Sequence, residues 1–362
     1  MNRKKTKQHL NRVLTPGLLF VASAFVLCLL LWVRGQGLLP LPAVIAVSGQ
    51  QAMSSDKGVA TDDVVGPTNI LFVGDIMLGR GVAGRLEEHG GPPESFAYVR
   101  DTFAVYDYVV ANLEGPVSDR GTNVGSKYSF RFPSAAASWV ADAGIDLVST
   151  ANNHAWDYGR VALCDTHEHL GDSGVASVGA GCTEAAANTP HEVMLGDSRF
   201  LFLGYTNLYP SGLTARGETP GVSNLDLERI VSMVKEFRAA GPGIVVALMH
   251  WGEEYETRSH PIQQRWAYDL IDLGVDLVIG HHPHVTQEIE RYADGWIVYS
   301  LGNFIFDQYF SEETMRGFGV AFRVKSNRVL SFSVLPYELT NLYQPIFRDS
   351  ENDVKNDLTG SE

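Results

Sequence analysis

Cysteine is scarce in this 362-residue chain: Cys28, Cys164 and Cys182 are too few for a disulfide framework. Positive charge is scarce beyond the N-terminus. Residues 1–34 hold six basic residues (Arg3, Lys4, Lys5, Lys7, Arg12 and Arg34) and no acid, leaving 22 basic against 42 acidic residues in 35–362. So acidic a body lacks the positive field that grips a phosphate backbone, which excludes nucleic acid as a general partner. An apolar fraction of 45% excludes an intrinsically disordered chain. Internal repeats are absent, and so are long apolar runs, with one exception.

That exception is 13–33, which contains no charged residue and is near the ~20 residues that cross a bilayer. Five basic residues precede it, so the positive-inside rule leaves a short tail, 1–12, in the cytoplasm and places the body outside. The nearest small-residue cleavage site, Val44-Ile45-Ala46, lies well past the run, which favours an uncleaved single-pass anchor in the cell membrane over a cleaved signal peptide. Residues 34–67 mix Gly, Pro, Ser and Gln without a period and read as a linker. The body spans 68–348, and the polar stretch 349–362 reads as a disordered acidic tail. Outside the cytoplasm Cys164 and Cys182 could be oxidised to a disulfide, although their spacing is equally compatible with two free buried thiols.

Within the body, short apolar runs at 69–73, 106–113, 145–150, 243–249 and 275–279 suit strands covered on both faces. Helical patterns at 134–143, 158–170, 225–240 and 261–273 alternate with them, which argues for an α/β fold. Turn signals at Gly196-Asp197 and Asp294-Gly295 predict hairpins across 193–205 and 286–306, and 318–324 with 329–335 form a further antiparallel pair. The sheets are therefore expected to be mixed.

The residues that follow the apolar runs carry the chemistry. Asp75 ends the first, Asn112-Leu113-Glu114 the second, Asn152-Asn153-His154 the third, His250-Trp251-Gly252-Glu253-Glu254 the fourth, and His281-His282-Pro283-His284 the fifth. In an α/β sheet the carboxyl ends of neighbouring strands open into one crevice. Carboxylate, amide and imidazole donors gathered there suit one or two divalent transition-metal ions, Mn, Fe or Zn, rather than Mg or Ca. Asp75 or Glu114 could bridge two ions, and His154 could protonate a leaving group. His167 and His169 sit two apart on a helix and diverge, so they read as solvated surface. His260 precedes Pro261 at a helix start.

Six blocks in order, Gly74-Asp75-Ile76-Met77-Leu78-Gly79-Arg80, Asn112-Leu113-Glu114-Gly115-Pro116, Ala151-Asn152-Asn153-His154 with Asp157-Tyr158-Gly159, His250-Trp251-Gly252-Glu253-Glu254-Tyr255, Gly280-His281-His282-Pro283-His284-Val285 and Tyr299-Ser300-Leu301-Gly302-Asn303-Phe304, resemble the CapA family. These capsule-synthesis proteins, associated with poly-γ-glutamate, look like a branch of the calcineurin-like metallophosphoesterases. The resemblance implies a four-layer α/β sandwich with two mixed sheets. It implies metal ligation by Asp75, Glu114, Asn153, His250, His282 and His284, with His154 as proton donor. The pair His282 and His284 is preferred to His281 because a His-x-His spacing resembles the superfamily's closing motif. Two departures stand out: Asp75-Ile76-Met77 lacks the histidine of an Asp-x-His block, and Glu114 replaces a bridging aspartate.

Arg80 is a candidate for holding an anionic substrate group. Ser300 and Asn303 are candidates for supporting a ligand by hydrogen bonds, and Trp251 and Tyr255 for lining the cleft or packing in the core. The resemblance implies a membrane-anchored, extracytoplasmic component of capsule or poly-γ-glutamate production, with polymer synthase subunits as partners. Its substrate would be an anionic polymer or a phosphorylated precursor. Hydrolase activity, phosphoesterase-like or amide-acting, does not follow from a fold. A non-catalytic scaffold or polymer-binding role and a general secreted metallophosphoesterase stand beside it.

Overall fold

The structure, a computed structural model, describes residues 66–208 and 212–348 together with the backbone of Asn356–Asp357. The tail 1–12, the apolar segment 13–33 and nearly all of the linker lie outside the described residues, as does the rest of the C-terminal tail. Among the described residues no helix is long and apolar enough to cross a membrane.

The larger sheet runs β16 (Pro345–Phe347), β15 (Arg328–Leu339), β14 (Arg316–Lys325), β1 (Thr68–Ile76), β2 (Tyr108–Leu113), β3 (Leu147–Ser149) and β4 (Ala176–Val178). In it β13 (Asn303–Ile305) also pairs with β1, and β17 (Asn356–Asp357) with β15. The smaller sheet runs β11 (Ile289–Tyr292), β12 (Gly295–Val298), β10 (Leu277–His281), β9 (Ile244–His250), β7 (Ser198–Thr206) and β6 (His191–Leu195). A short ribbon joins β5 (Ala180–Gly181) to β8 (Gly221–Val222). Both sheets are mixed: β1, β2, β3 and β4 are parallel, as are β7, β9, β10 and β12, while the flanking hairpins are antiparallel.

Successive side chains of a strand point to opposite faces, and here both faces are apolar. Ile70 and Phe72 of β1, Val110 of β2, and Ile244, Val246 and Leu248 of β9 share one core, which lies between the two sheets. The alternate residues Leu71, Val73, Val109 and Ala111 pack instead with α1 (Arg80–Leu86), α2 (Ala136–Asp142) and α3 (Gly159–Asp172) through Val82, Leu86, Val140 and Leu170. On the smaller sheet Val245, Ala247 and Met249 pack with α4 (Leu227–Ala239) and α5 (Pro261–Asp272) through Ile230, Val234, Phe237 and Leu270. The result is helix, sheet, sheet, helix in four layers. His260 caps α5: its Nδ1 accepts from the Ile262 N–H, and Gln263 Oε1 accepts in return from the His260 N–H at 2.8 Å.

One expectation needs correcting. The run 286–306 is not a single hairpin. Its first part turns at Asp294-Gly295 within the smaller sheet, but after Val298 the chain crosses to the larger sheet, where β13 pairs in parallel with β1. The crossing uses Gly302, whose φ of +77° is open to glycine at little cost. It places Asn303 level with Asp75, which is also level with Asn112 of β2. In the smaller sheet His250 is level with His281. Register alone therefore brings polar side chains to one end of both sheets. Cys164 and Cys182 are disulfide-bonded, with their Cα atoms 5.2 Å apart, which ties α3 to the end of β5.

Glycine precedes the site on both central strands because there is no room for anything larger. A Cβ on Gly74 would lie 1.9 Å from the Gly302 carbonyl oxygen, and one on Gly280 2.0 Å from that of Tyr299. Gly74→Ala is accordingly expected to destabilise the protein by about 1–3 kcal/mol or more. Gly171→Ala, on α3 with nothing within 4 Å of the new carbon, should be neutral or stabilising by roughly 0.5–1 kcal/mol. Thermal unfolding of the two variants beside the parent checks both.

Candidate metal centre

The ends of β1, β2 and β9 and the loops after β3 and β10 deliver Asp75, Glu114, His250, Asn153 and the His282–His284 pair to one crevice. Asp75 and Glu114 are fully buried, and His250, His282 and His284 nearly so. His250 Nε2 lies 2.7 Å from Asn153 Oδ1. His284 Nδ1 lies 3.6 Å from Asp75 Oδ2, and its Nε2 3.8 Å from Glu114 Oε1. The rings of His250 and His282 have their centroids 4.8 Å apart. The carboxylates are steadied from below: Asn112 Nδ2 donates to Asp75 at 2.8 Å and lies 3.4 Å from Glu114, and the His282 N–H donates to Asp75 at 3.1 Å. Asn152 in turn donates to Asn112 Oδ1 and to the Leu113 carbonyl.

Backbone strain marks the same place. His282, His284, Tyr255 and Arg80 all have positive φ (99°, 60°, 67° and 44°), a region costly for residues with a Cβ and concentrated at functional sites.

Burial dominates the electrostatics of the crevice. Burial raises the Asp75 carboxyl to about 7 against the pull of Asn112 and the His282 N–H. Burial, then the charges of Asp75, Glu254 and Asp157, drives Glu114 well above the usual carboxylate range, with Arg80 opposing weakly. Burial also lowers His282 to about 3 and His281 to about 4, and holds His250 and His284 well below the imidazole range. Among the described residues neither Asp75 nor Glu114 has a lysine or arginine in ion-pair contact; their close partners are His284 and His154. Three buried atoms, Glu114 Oε1, His250 Nδ1 and His282 Nδ1, have no hydrogen-bond partner. Buried polar atoms are normally paired. An oxygen and two nitrogens left bare beside buried carboxylates fit a divalent ion, and Asp75, Glu114 and His284 offer donor atoms all within 4.8 Å of one another.

His154 stands at the edge of this group. Its Nδ1 is 2.6 Å from Asp157 Oδ2, its ring stacks on Phe130 with centroids 3.9 Å apart, and its Nε2 is 3.7 Å from Glu114 Oε1. A cleft of about 400 Å³ opens beside it, lined by Lys127, Tyr128, Asn153, His154, Leu208, Glu254 and His282.

Asn303 Oδ1 lies 3.0 Å from His284 Nδ1, while its Nδ2 donates to Gln308 and to the Thr314 carbonyl. Ser300 donates to the Val285 carbonyl at 2.7 Å, holding the segment that follows His284. Arg80 is paired with Asp307 and lies 4.5 Å over the Phe130 ring, so its charge is already answered. His281 turns away, its Nε2 3.3 Å from the Val73 carbonyl. Trp251 is buried core, donating to the Tyr299 carbonyl, whereas Tyr255 is exposed at the cleft with its ring 6.1 Å from His284. Met77 is buried, its sulfur accepting from the Gly79 N–H at 3.2 Å. His167 is not solvated surface: its Nδ1 bonds Ser177 Oγ at 2.8 Å, its Nε2 is buried without a partner, and burial lowers it to about 4.

Three residues of the site were not singled out by sequence reasoning. Asn112 links the two carboxylates, Asp157 orients His154, and Glu254 joins His282 and His284 in a second close group of donors. All three stand inside the sequence blocks that resemble CapA proteins, and Asn112 and Glu254 also stand in the clusters that end the apolar runs, but neither signal assigns them a role.

The family model for the bacterial capsule synthesis protein PGA_cap matches residues 69–308. The PGA biosynthesis protein CapA of Bacillus subtilis (strain 168) is 33% identical over 295 residues, covering 80% of this chain and 76% of that protein. The capsule biosynthesis protein CapA of Bacillus anthracis is 31% identical over 284 residues, covering 75% and 67%. A solved structure, the NAD nucleotidase NadN of Haemophilus influenzae, aligns over 81% of this chain and 60% of its own with 10% identity and a TM-score of 0.45, too remote to carry an argument. On the family match and the CapA identities, this chain belongs to the PGA_cap family of bacterial capsule synthesis proteins.

Proposed function

We propose that the chain acts in production of a bacterial capsule polymer of the poly-γ-glutamate type, through a metal-dependent hydrolase-like site on an extracytoplasmic body anchored by 13–33. The observation that carries the site is the set of bare buried donor atoms in a crevice where neither acid is paired with a lysine or arginine among the described residues. Family membership and the CapA relatives support the polymer. The basic-flanked apolar run supports the anchor, and the disulfide supports an oxidising compartment.

Asp75, Glu114, Asn153, His250, His282 and His284 would hold one or two ions of Mn, Fe or Zn. When bound, such an ion supplies Lewis acidity and lowers the pKa of water. The chain's own residues do the rest. Asn112 fixes the distance between the carboxylates, and Asn303 orients His284. Asp157 accepts from His154 Nδ1, so that Nε2 is the atom that takes and gives a proton toward the cleft. The substrate would be an amide link of the anionic polymer or a phosphorylated precursor. Its anionic group would compete with Asp307 for Arg80. Met77 in place of a first-strand histidine favours a second reading, in which the cleft binds polymer for synthase partners without turnover.

Metal analysis of the purified full-length chain, with hydrolysis assays on phosphoesters and γ-glutamyl polymer, tests this. A variant carrying His250→Ala and Asn153→Ala should lose metal, turnover and polymer output together; polymer output unchanged in that variant overturns the catalytic reading. Asp157→Asn should keep its metal yet lower kcat by roughly 10²–10⁴. The pH dependence has a definite sign. In the metal-free folded chain Asp75 keeps its proton up to about 7, so an ion must displace it below that pH. Metal affinity measured by calorimetry should fall as pH drops from 7 toward 5, by about tenfold per unit for each proton displaced. Asp75 binds its proton more tightly folded than unfolded, so its burial costs stability that grows as pH rises from 3.8 to about 7. The gain in Tm on adding metal should therefore be larger at pH 7.5 than at pH 5.

A further inference from the structure

We propose that Glu254 is a metal ligand on the open side of the site, holding with His282 a second, more exchangeable ion beside the buried position of Asp75, Glu114 and His284. The inference rests on the metal reading above and assigns a residue to it. Donor atoms of Glu254, His282 and His284 all lie within 4.8 Å of one another, as do those of the inner group. His282 is only 6% exposed, its Nδ1 has no partner, and its ring lines the same cleft as Glu254. A buried imidazole with nothing bonded to it, facing a carboxylate across a cleft, is the arrangement that a cation completes.

The chain holds the two together. The Tyr255 N–H donates to the Pro283 carbonyl at 2.8 Å, tying the segment that carries Glu254 to the loop that carries both histidines. The donor count also calls for an additional ligand. Met77 offers no nitrogen on the first strand, and its sulfur is turned to the Gly79 N–H. Two buried carboxylates balance one dication; a second needs another negative charge, because the imidazoles beside it are neutral. Glu254 supplies that charge from an exposed position, whereas Asp75 and Glu114 are sealed from water. The outer ion is therefore reached directly by solvent. It exchanges faster than the inner one, and its occupancy follows the free metal concentration at the mouth where a substrate's anionic group would enter. Glu253, the neighbour in sequence, reaches instead toward His260 at 3.9 Å and serves as the control.

The test is titration of the metal-stripped full-length chain with Mn²⁺ and with Zn²⁺ by calorimetry, with metal analysis after desalting. The parent is expected to bind two ions in two affinity classes. Glu254→Gln should keep the tight class and raise the Kd of the weak class at least tenfold, whereas Glu253→Gln should match the parent. Folding is controlled by an unchanged metal-free Tm, which an exposed residue permits. Parent affinities retained in Glu254→Gln, loss of both classes at unchanged Tm, or a single ion in the parent overturns the proposal while leaving a metal site in place. A parent that takes up no metal overturns the underlying metal reading as well.

Discussion

Two carboxyl groups buried in one crevice, neither paired with a lysine or arginine among the described residues, form the constraint on which the rest of this structure turns. Isolated buried charge is among the costliest features a fold can carry. Asp75 and Glu114 nevertheless sit at the ends of adjacent strands, joined through Asn112 and surrounded by imidazoles that burial keeps neutral. Burial holds both carboxyls in the protonated form; for them to ionise, charge of opposite sign has to come from elsewhere, and a bound dication would supply it and invert the local electrostatics of the crevice. The net charge of the chain argues against nucleic acid as a partner, yet it does not describe the interior of the cleft.

The scaffold is rigid where the donors meet. Parallel pairing sets Asp75 level with Asn112 and Asn303, and His250 level with His281, so the positions follow from register rather than from loop conformation. Gly74 and Gly280 let neighbouring strands approach within a distance that no Cβ would allow. The loops that add His282, His284 and Tyr255 carry their strain in positive φ, held by the Tyr255 N–H to Pro283 and by Asn303 against His284. A rigid first layer with strained, hydrogen-bonded additions is how a preorganised site is built.

Much of this was legible in the sequence because the strands are covered on both faces. Continuous apolar runs then mark the strands, and whatever polar residue ends each run marks the crevice. Asp75, Glu114, His250 and the His281–His284 cluster follow from that pattern, and the choice of His282 and His284 within the cluster follows from the resemblance to CapA proteins. The crossover at Gly302 was not legible, because 286–306 has the turn signal and apolar content of one hairpin and only tertiary pairing sends β13 to the other sheet. Contacts between residues distant in sequence were equally hidden. Nothing local says that Asp307 answers Arg80, that Asp157 rather than solvent meets His154 Nδ1, or that the half-buried His167 bonds Ser177. Helical spacing separates His167 from His169 correctly but does not tell which of them faces inward.

The central claim is that this crevice holds metal between the two sheets, and anomalous diffraction locates ions without reference to activity. Crystals of the chain grown with Mn²⁺ or Zn²⁺ and measured at the metal's absorption edge should show density within about 2.0–2.3 Å of donor atoms. Those donors should include Asp75, Glu114 and at least one of His250, His282 and His284. Crystals grown in saturating metal with no anomalous peak in the crevice, or with peaks only at surface residues, would contradict it.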